Sequence, residues 1–165
     1  MAPDVRMRGF QQRTEVSAVA RLIDERVACL GSEFVDVQEA RGRVVGIGGV
    51  FFKSSDHQRL RSWYAQNLGI DHGKEGAAFK WRAHDKPEAE HFTAWSVFPE
   101  ASHYFDPSPT RFMVNYIVDD LEAILAKLAS NGVRIDPKRE DYDYGRFAWV
   151  YDSDGNKIEL WEPVA

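Results

Sequence analysis

The sequence predicts an α+β domain built from two successive strand–helix–strand units, preceded by a short helical segment. Three observations carry this. From Val44 onward, β-rich runs and single helical patterns follow the order strand, helix, strands, linker, strand, helix, strands. Both helical patterns open on Asp, at Asp56 and at Asp119-Asp120, and both close on Gly, at Gly69 and Gly132. The halves repeat in order and punctuation rather than in letters.

The extension, residues 1–43, reads differently from the rest. Val16, Val19, Ala20, Leu22, Ile23, Val27 and Leu30 recur at three- and four-residue spacing, which predicts an amphipathic helix between a Thr14 cap and a Gly31 stop. Ser32–Arg43 reads as a short extended piece and a polar connection. The domain proper, residues 44–165, divides into module one (44–98), a linker (99–110) and module two (111–165). Val45–Lys53 is rich in β-branched, aromatic and Gly residues and predicts a strand. Leu60, Trp63, Tyr64 and Leu68 then share one helical face. Ala77–Arg82 and His91–Phe98 are two further strands, separated by a polar turn in which Pro87 breaks pairing. The linker carries Pro99, Pro107 and Pro109 and has no period. Module two follows with a strand over Arg111–Val118 and a helix bearing Leu121, Ile124, Leu125 and Leu128. Strands at Val133–Ile135, Gly145–Tyr151 and Lys157–Trp161 complete it, the last pair joined by an Asp154-Gly155-Asn156 turn.

Composition narrows the function. With 165 residues, 44% hydrophobic and 28% charged, the chain can build one good core. A net charge of −5 without a Lys/Arg cluster argues against nucleic acid as partner. Cys29 is the single cysteine, so neither an internal disulfide nor a thiolate metal cluster is expected, and it reads as a buried small hydrophobe. No apolar run approaches about 18 residues, so no membrane partner is expected. The N-terminus lacks the apolar core of a signal peptide, and a cytoplasmic location is the default. The five His residues show no metal-binding spacing. The Asp152-Ser153-Asp154-Gly155 run lacks the full ladder of a calcium loop and reads as a hairpin turn.

GVFFKSSDHQRLRSWYAQNLGI in module one, with NYIVDDLEAILAKLASNGVRI and FAWVYDSDGNKIELWEP in module two, resembles the vicinal-oxygen-chelate superfamily. That superfamily holds glyoxalase I, extradiol dioxygenases and the bleomycin- and fosfomycin-resistance proteins. The resemblance implies two βαβββ modules forming a curved, mixed eight-stranded sheet, with a ligand or metal on the concave face and helices on the convex one. In its metal-dependent members, four ligands come from equivalent positions on the first and last strand of each module. Those positions fall here at Gly49, Met113, Glu159 and near Thr93 or Trp95. Glycine offers no donor and a thioether is a poor one for hard or borderline divalent ions. A metal-free site without a cofactor is therefore expected. The extension, through VARLIDERVACL and VDVQEARGRVV, also faintly resembles the opening of the molybdenum-insertion proteins of molybdopterin biosynthesis, but too short a stretch is shared to include that family's cofactor site.

Strand alternation sets Glu159 and Trp161 opposite Ile158 and Leu160. The same reading puts Phe51, Lys53, Thr93, Trp95, Met113 and Asn115 on the concave side. Phe51, Trp95 and Trp161 are the expected aromatic lining, unless they fill the groove themselves. Asn115 would orient a ligand or bond a neighbouring strand, and Tyr144 and Arg146 are rim candidates in a loop. Glu159 is the candidate base, or a carboxylate paired within the fold. The expected function is binding of a small, partly apolar molecule in a metal-free groove by a homodimer. The alternatives are a glyoxalase-like lyase or isomerase using Glu159 as base or remaining metal ligand, and an interaction module with a vestigial groove.

Overall fold

The computed structural model describes residues 41–70, 73 and 76–164. The helix expected over Val16–Leu30 lies outside the described residues. The domain is α+β, with two α-helices and one mixed sheet of seven strands in the order β2-β3-β1-β4-β7-β6-β5. In chain order these are β1 (Val44–Ser54), α1 (His57–Leu68), β2 (Ala77–Arg82), β3 (Glu90–Pro99), a short 3-10 turn at His103–Phe105, β4 (Phe112–Val118), α2 (Leu121–Ser130), β5 (Ile135–Tyr142), β6 (Gly145–Tyr151) and β7 (Lys157–Pro163). The eight strands implied by the resemblance become seven among the described residues. Module one supplies three and module two four.

Local chemistry sets the boundaries. The Asp56 carboxylate accepts from the Arg59 backbone N–H at 2.9 Å and caps α1, which ends on Gly69 in the left-handed region at φ 65°. Asp120 alone caps α2, accepting from the Ala123 N–H at 2.9 Å. Asp119 does something else: it accepts from the N–H groups of Gly42 and Arg43 at 2.8 and 2.9 Å and pins the chain leading into β1 to the end of β4. β5 runs well past the expected Val133–Ile135 and includes Pro137. An edge strand tolerates that residue because one of its sides has no partner to serve.

Leu121, Ile124 and Leu125 of α2 pack on Val118, Ala148, Val150 and Leu160, forming the core of the helix-covered face. Each of the Leu, Ile and Val side chains contributes about 1.5–3 kcal/mol through burial. Helix α1 buries no residue completely and leaves Trp63 and Leu68 half exposed.

The modules join through β1 and β4, paired antiparallel with Val50 opposite Val114. The spacing from Asp56 to Asp120 equals that from Val50 to Val114, so this pair lies on the pseudo-twofold axis relating the modules. The sheet also curls. Phe92 on β3 and Trp161 on β7 bring their ring centroids to 5.5 Å although β1 and β4 lie between them. In a flat sheet those strands would stand about 14 Å apart. The helix-free face is therefore the concave one.

Candidate functional site

Directly paired residues project to the same face of a sheet. The pairs Phe51–Ser96, Phe51–Met113, Asn115–Glu159, Trp149–Glu159 and Phe147–Trp161 thus gather these side chains on the concave face. Phe51, Asn115, Glu159 and Trp161 are all found there. Trp95 is not, and its assignment to the concave lining is corrected. It pairs with Val50, lies on the helix-covered face, and packs its ring 4.7 Å from Tyr64 of α1 and 6.2 Å from Phe52. Thr93 shares that face, accepting from the Trp81 indole at 3.0 Å and donating to the Ile47 carbonyl at 2.6 Å. The twofold relation carries Phe51 onto Asn115, so Ser96 rather than Thr93 or Trp95 is the counterpart of Glu159.

Glu159 is only 2% exposed and accepts three hydrogen bonds. Its Oε1 takes the Asn115 amide at 2.6 Å, and its Oε2 takes the Trp149 indole N–H at 2.8 Å and the Tyr104 hydroxyl. Burial raises its pKa above the ordinary value of 4.5, against the opposing pull of those three donors. Burial and the adjacent carboxylate together push the Tyr104 phenol far above its ordinary range, so it remains a neutral donor.

Tyr104 comes from the linker, and the sequence reading missed it. The only signal was an adjacent aromatic pair, Tyr104-Phe105, inside a proline-rich connection. The 3-10 turn lays the Tyr104 ring flat on Phe98, with centroids 5.5 Å apart and 4° between planes, and buries Phe105 completely. Lys157, two residues before Glu159 and on the same face, donates to the carbonyls of Tyr104 and Asp106 at 3.1 and 2.9 Å. Lys157 and Glu159 therefore clasp the linker across one half of the concave face. Phe51, Met113 and Trp149 complete this filled half.

The other half is open and aromatic. Tyr142 and Tyr144 stack at 5.1 Å and meet the edge of Phe147, which in turn stacks on Trp161 at 5.9 Å, and Trp161 meets Phe92. Tyr144 and Phe92 are about half exposed. Arg146, the expected ligand-binding residue at the rim, does not join this strip. Its partner position is Glu162, on the helix-covered side, where Nη2 bonds the Glu162 carboxylate at 2.6 Å. The same carboxylate accepts the Leu121 N–H at the start of α2. Arg146 also lines a cleft of about 890 Å³ at the strand ends, with Arg43, Val45, His91, Asp119 and Glu162, but that cleft includes none of Phe51, Asn115, Glu159 or Trp161.

The four positions equivalent to superfamily metal ligands hold Gly49, Ser96, Met113 and Glu159. A Cβ at Gly49 would fall 2.6 Å from the Phe51 ring, so that ring fills the first position. Met113 is fully buried, and the one carboxylate is already engaged with three donors. This set does not fit a divalent ion, and among the described residues no group of three His, Cys, Asp or Glu side chains could hold one.

The family model described as Glyoxalase/Bleomycin resistance protein/Dioxygenase superfamily matches residues 46–160. No curated protein matches the chain by sequence. Among solved structures, the methylmalonyl-CoA epimerase of Mycobacterium tuberculosis is 18% identical, with a TM-score of 0.52 over 80% of this chain and 95% of its own. A variant of the Streptomyces coelicolor methylmalonyl-CoA epimerase, bound to 2-nitronate-propionyl-CoA, is 14% identical, with a TM-score of 0.54 over 74% of this chain and 100% of its own. At such identity these likenesses concern the fold.

Proposed function

Because the chain belongs to the glyoxalase/bleomycin resistance protein/dioxygenase superfamily, we propose that it binds a small, partly apolar molecule on the open half of its concave face, without a bound metal. The observation that carries this is the aromatic strip from Tyr142 and Tyr144 through Phe147 and Trp161 to Phe92. Concave, mostly apolar surfaces with a few polar groups are where small molecules bind. The arrangement favours binding over catalysis, since Glu159 is spent on three donors and shielded by Tyr104.

Native mass spectrometry of the purified protein against a panel of aromatic compounds and acyl-CoA esters tests the reading. A bound compound should lose about 5- to 150-fold in affinity on Phe147→Ala, as one desolvated aromatic contact is worth about 1–3 kcal/mol. Binding that ignores Phe147→Ala and Trp161→Ala would refute the location. Elemental analysis addresses the metal, where one divalent ion per chain overturns the metal-free reading.

One observation favours a second reading, a glyoxalase-like lyase or isomerase. Burial raises the Glu159 pKa in the direction a general base requires. Such a base would first have to be uncovered by removal of Tyr104. A homodimer and a cytoplasmic location accompany either reading, and sedimentation velocity decides the first.

A further inference from the structure

Of all groups on the concave face, Tyr104 is held in the manner of a bound ligand. Its ring lies in a slot with Phe98 stacked beneath it, Phe51 at 6.5 Å and Trp149 at 6.2 Å presenting edges, and Phe105 at 6.3 Å closing the side. Its hydroxyl ends on Glu159, whose other donors are Trp149 and Asn115. The slot's chemistry is selective. Flat apolar walls accept a planar ring, and the carboxylate demands a neutral donor at its far end. An unsubstituted ring would leave Glu159 one hydrogen bond short, and an acid would set two carboxylates together. A phenol meets both requirements.

We propose that this slot is a binding site for a phenolic ligand and that the linker is its built-in competitor. The proposal goes beyond the reading above: the slot lies on the filled half of the concave face, apart from the open strip. Tyr104 is only partly buried, whereas its neighbour Phe105 is completely so. The linker can therefore stay anchored by Phe105 and by Lys157 while the Tyr104 side chain swings out. The apparent affinity of an incoming phenol is its intrinsic affinity reduced by the fraction of chains with the slot vacant.

Tyr104→Phe keeps the ring and removes the hydroxyl, which weakens the competitor without emptying the slot. With p-cresol titrated into the full chain and the Trp149 indole N–H followed by NMR, the variant should bind about tenfold more tightly than the wild type, the usual worth of a hydrogen bond to a charged group. Equal affinities overturn the proposal. Tyr104→Ala empties the slot, and p-cresol should then raise the thermal midpoint more than toluene, which has the same shape without the donor. Equal effects of the two overturn the phenol selectivity. If Tyr104→Ala does not fold, the Tyr104→Phe comparison decides alone. Phe147→Ala separates the two readings. Should it change p-cresol affinity while Tyr104→Phe does not, the ligand lies on the open strip, and the slot proposal fails while the concave-face reading stands. Loss of strip ligands on Phe147→Ala with the Tyr104→Phe gain intact supports both.

Discussion

Replacing Glu159 with Gln tests the electrostatics of the concave face directly. The carboxylate is almost completely buried, and burial raises its folded-state pKa above the ordinary 4.5. A carboxyl raised in this way favours folding when protonated. Its contribution is fully present below about 4.5 and is lost as pH rises through the folded value. Wild type should therefore lose stability relative to Glu159→Gln as pH increases, by about 1.4 kcal/mol for each pH unit between the unfolded and folded pKa. Gln can keep two of the three hydrogen bonds by accepting from Tyr104 and Trp149. Its amide would face the Asn115 amide, donor against donor, but Asn115 Oδ1 is buried without a partner among the described residues. A flip of Asn115 turns that oxygen toward the new N–H and restores the third bond. Urea denaturation of both proteins at pH 4 and pH 8, followed by tryptophan fluorescence, measures the difference, and groups titrating alike in both cancel. A stability difference that stays constant with pH, or that moves toward wild type as pH rises, refutes the reasoning.

Glu159→Ala strands the buried Asn115 and Trp149 donors and the partly buried Tyr104 hydroxyl, at about 1–3 kcal/mol for each buried donor, and should lower the urea midpoint sharply. Gly48→Ala places a methyl 2.1 Å from Asn115 Oδ1 and 3.0 Å from the Trp161 ring, and should cost about 1–3 kcal/mol by thermal or urea unfolding. Lys157→Met leaves the Tyr104 and Asp106 carbonyls without their donor; limited proteolysis should cut residues 99–110 faster, with a loss of about 1–3 kcal/mol. Trp95→Ala should cost about 3–5 kcal/mol in stability while leaving the affinity of a strip ligand unchanged, because that ring faces Tyr64 and the helices.

The order of the elements was legible because each strand and helix carries its own local signal. Asp56 and Asp120 sit where a cap is needed, Gly69 where a left-handed residue is needed, and the β-branched runs end at prolines or turns. The faces of β3 were harder. Phe92, Ala94, Ser96 and Phe98 alternate with His91, Thr93, Trp95 and Val97, so bulk and polarity occur on both sides and alternation alone cannot tell them apart. Only the parallel register against β1 separates Trp95 from Ser96. Tyr104 was illegible for another reason. It meets Glu159 across 55 residues of chain, and neither residue's neighbours in sequence record that pairing. The side on which Arg146 lies was not legible, because a charge beside a loop reads the same whether it points to the concave face or to Glu162.

The Val50–Val114 pairing has a consequence for substitution. An axis that runs through a single chain makes its seam resemble an isologous interface between two identical subunits, where a patch meets its own counterpart. Away from the axis, equivalent positions are not each other's partners and can differ, as Gly49 does from Met113 and Ser96 from Glu159. On the axis there is no such freedom. Val50 and Val114 are direct cross-strand neighbours, both only partly buried, so a change at one is felt at the other. The stability effects of substitutions at the two positions should therefore be non-additive in a double-mutant cycle.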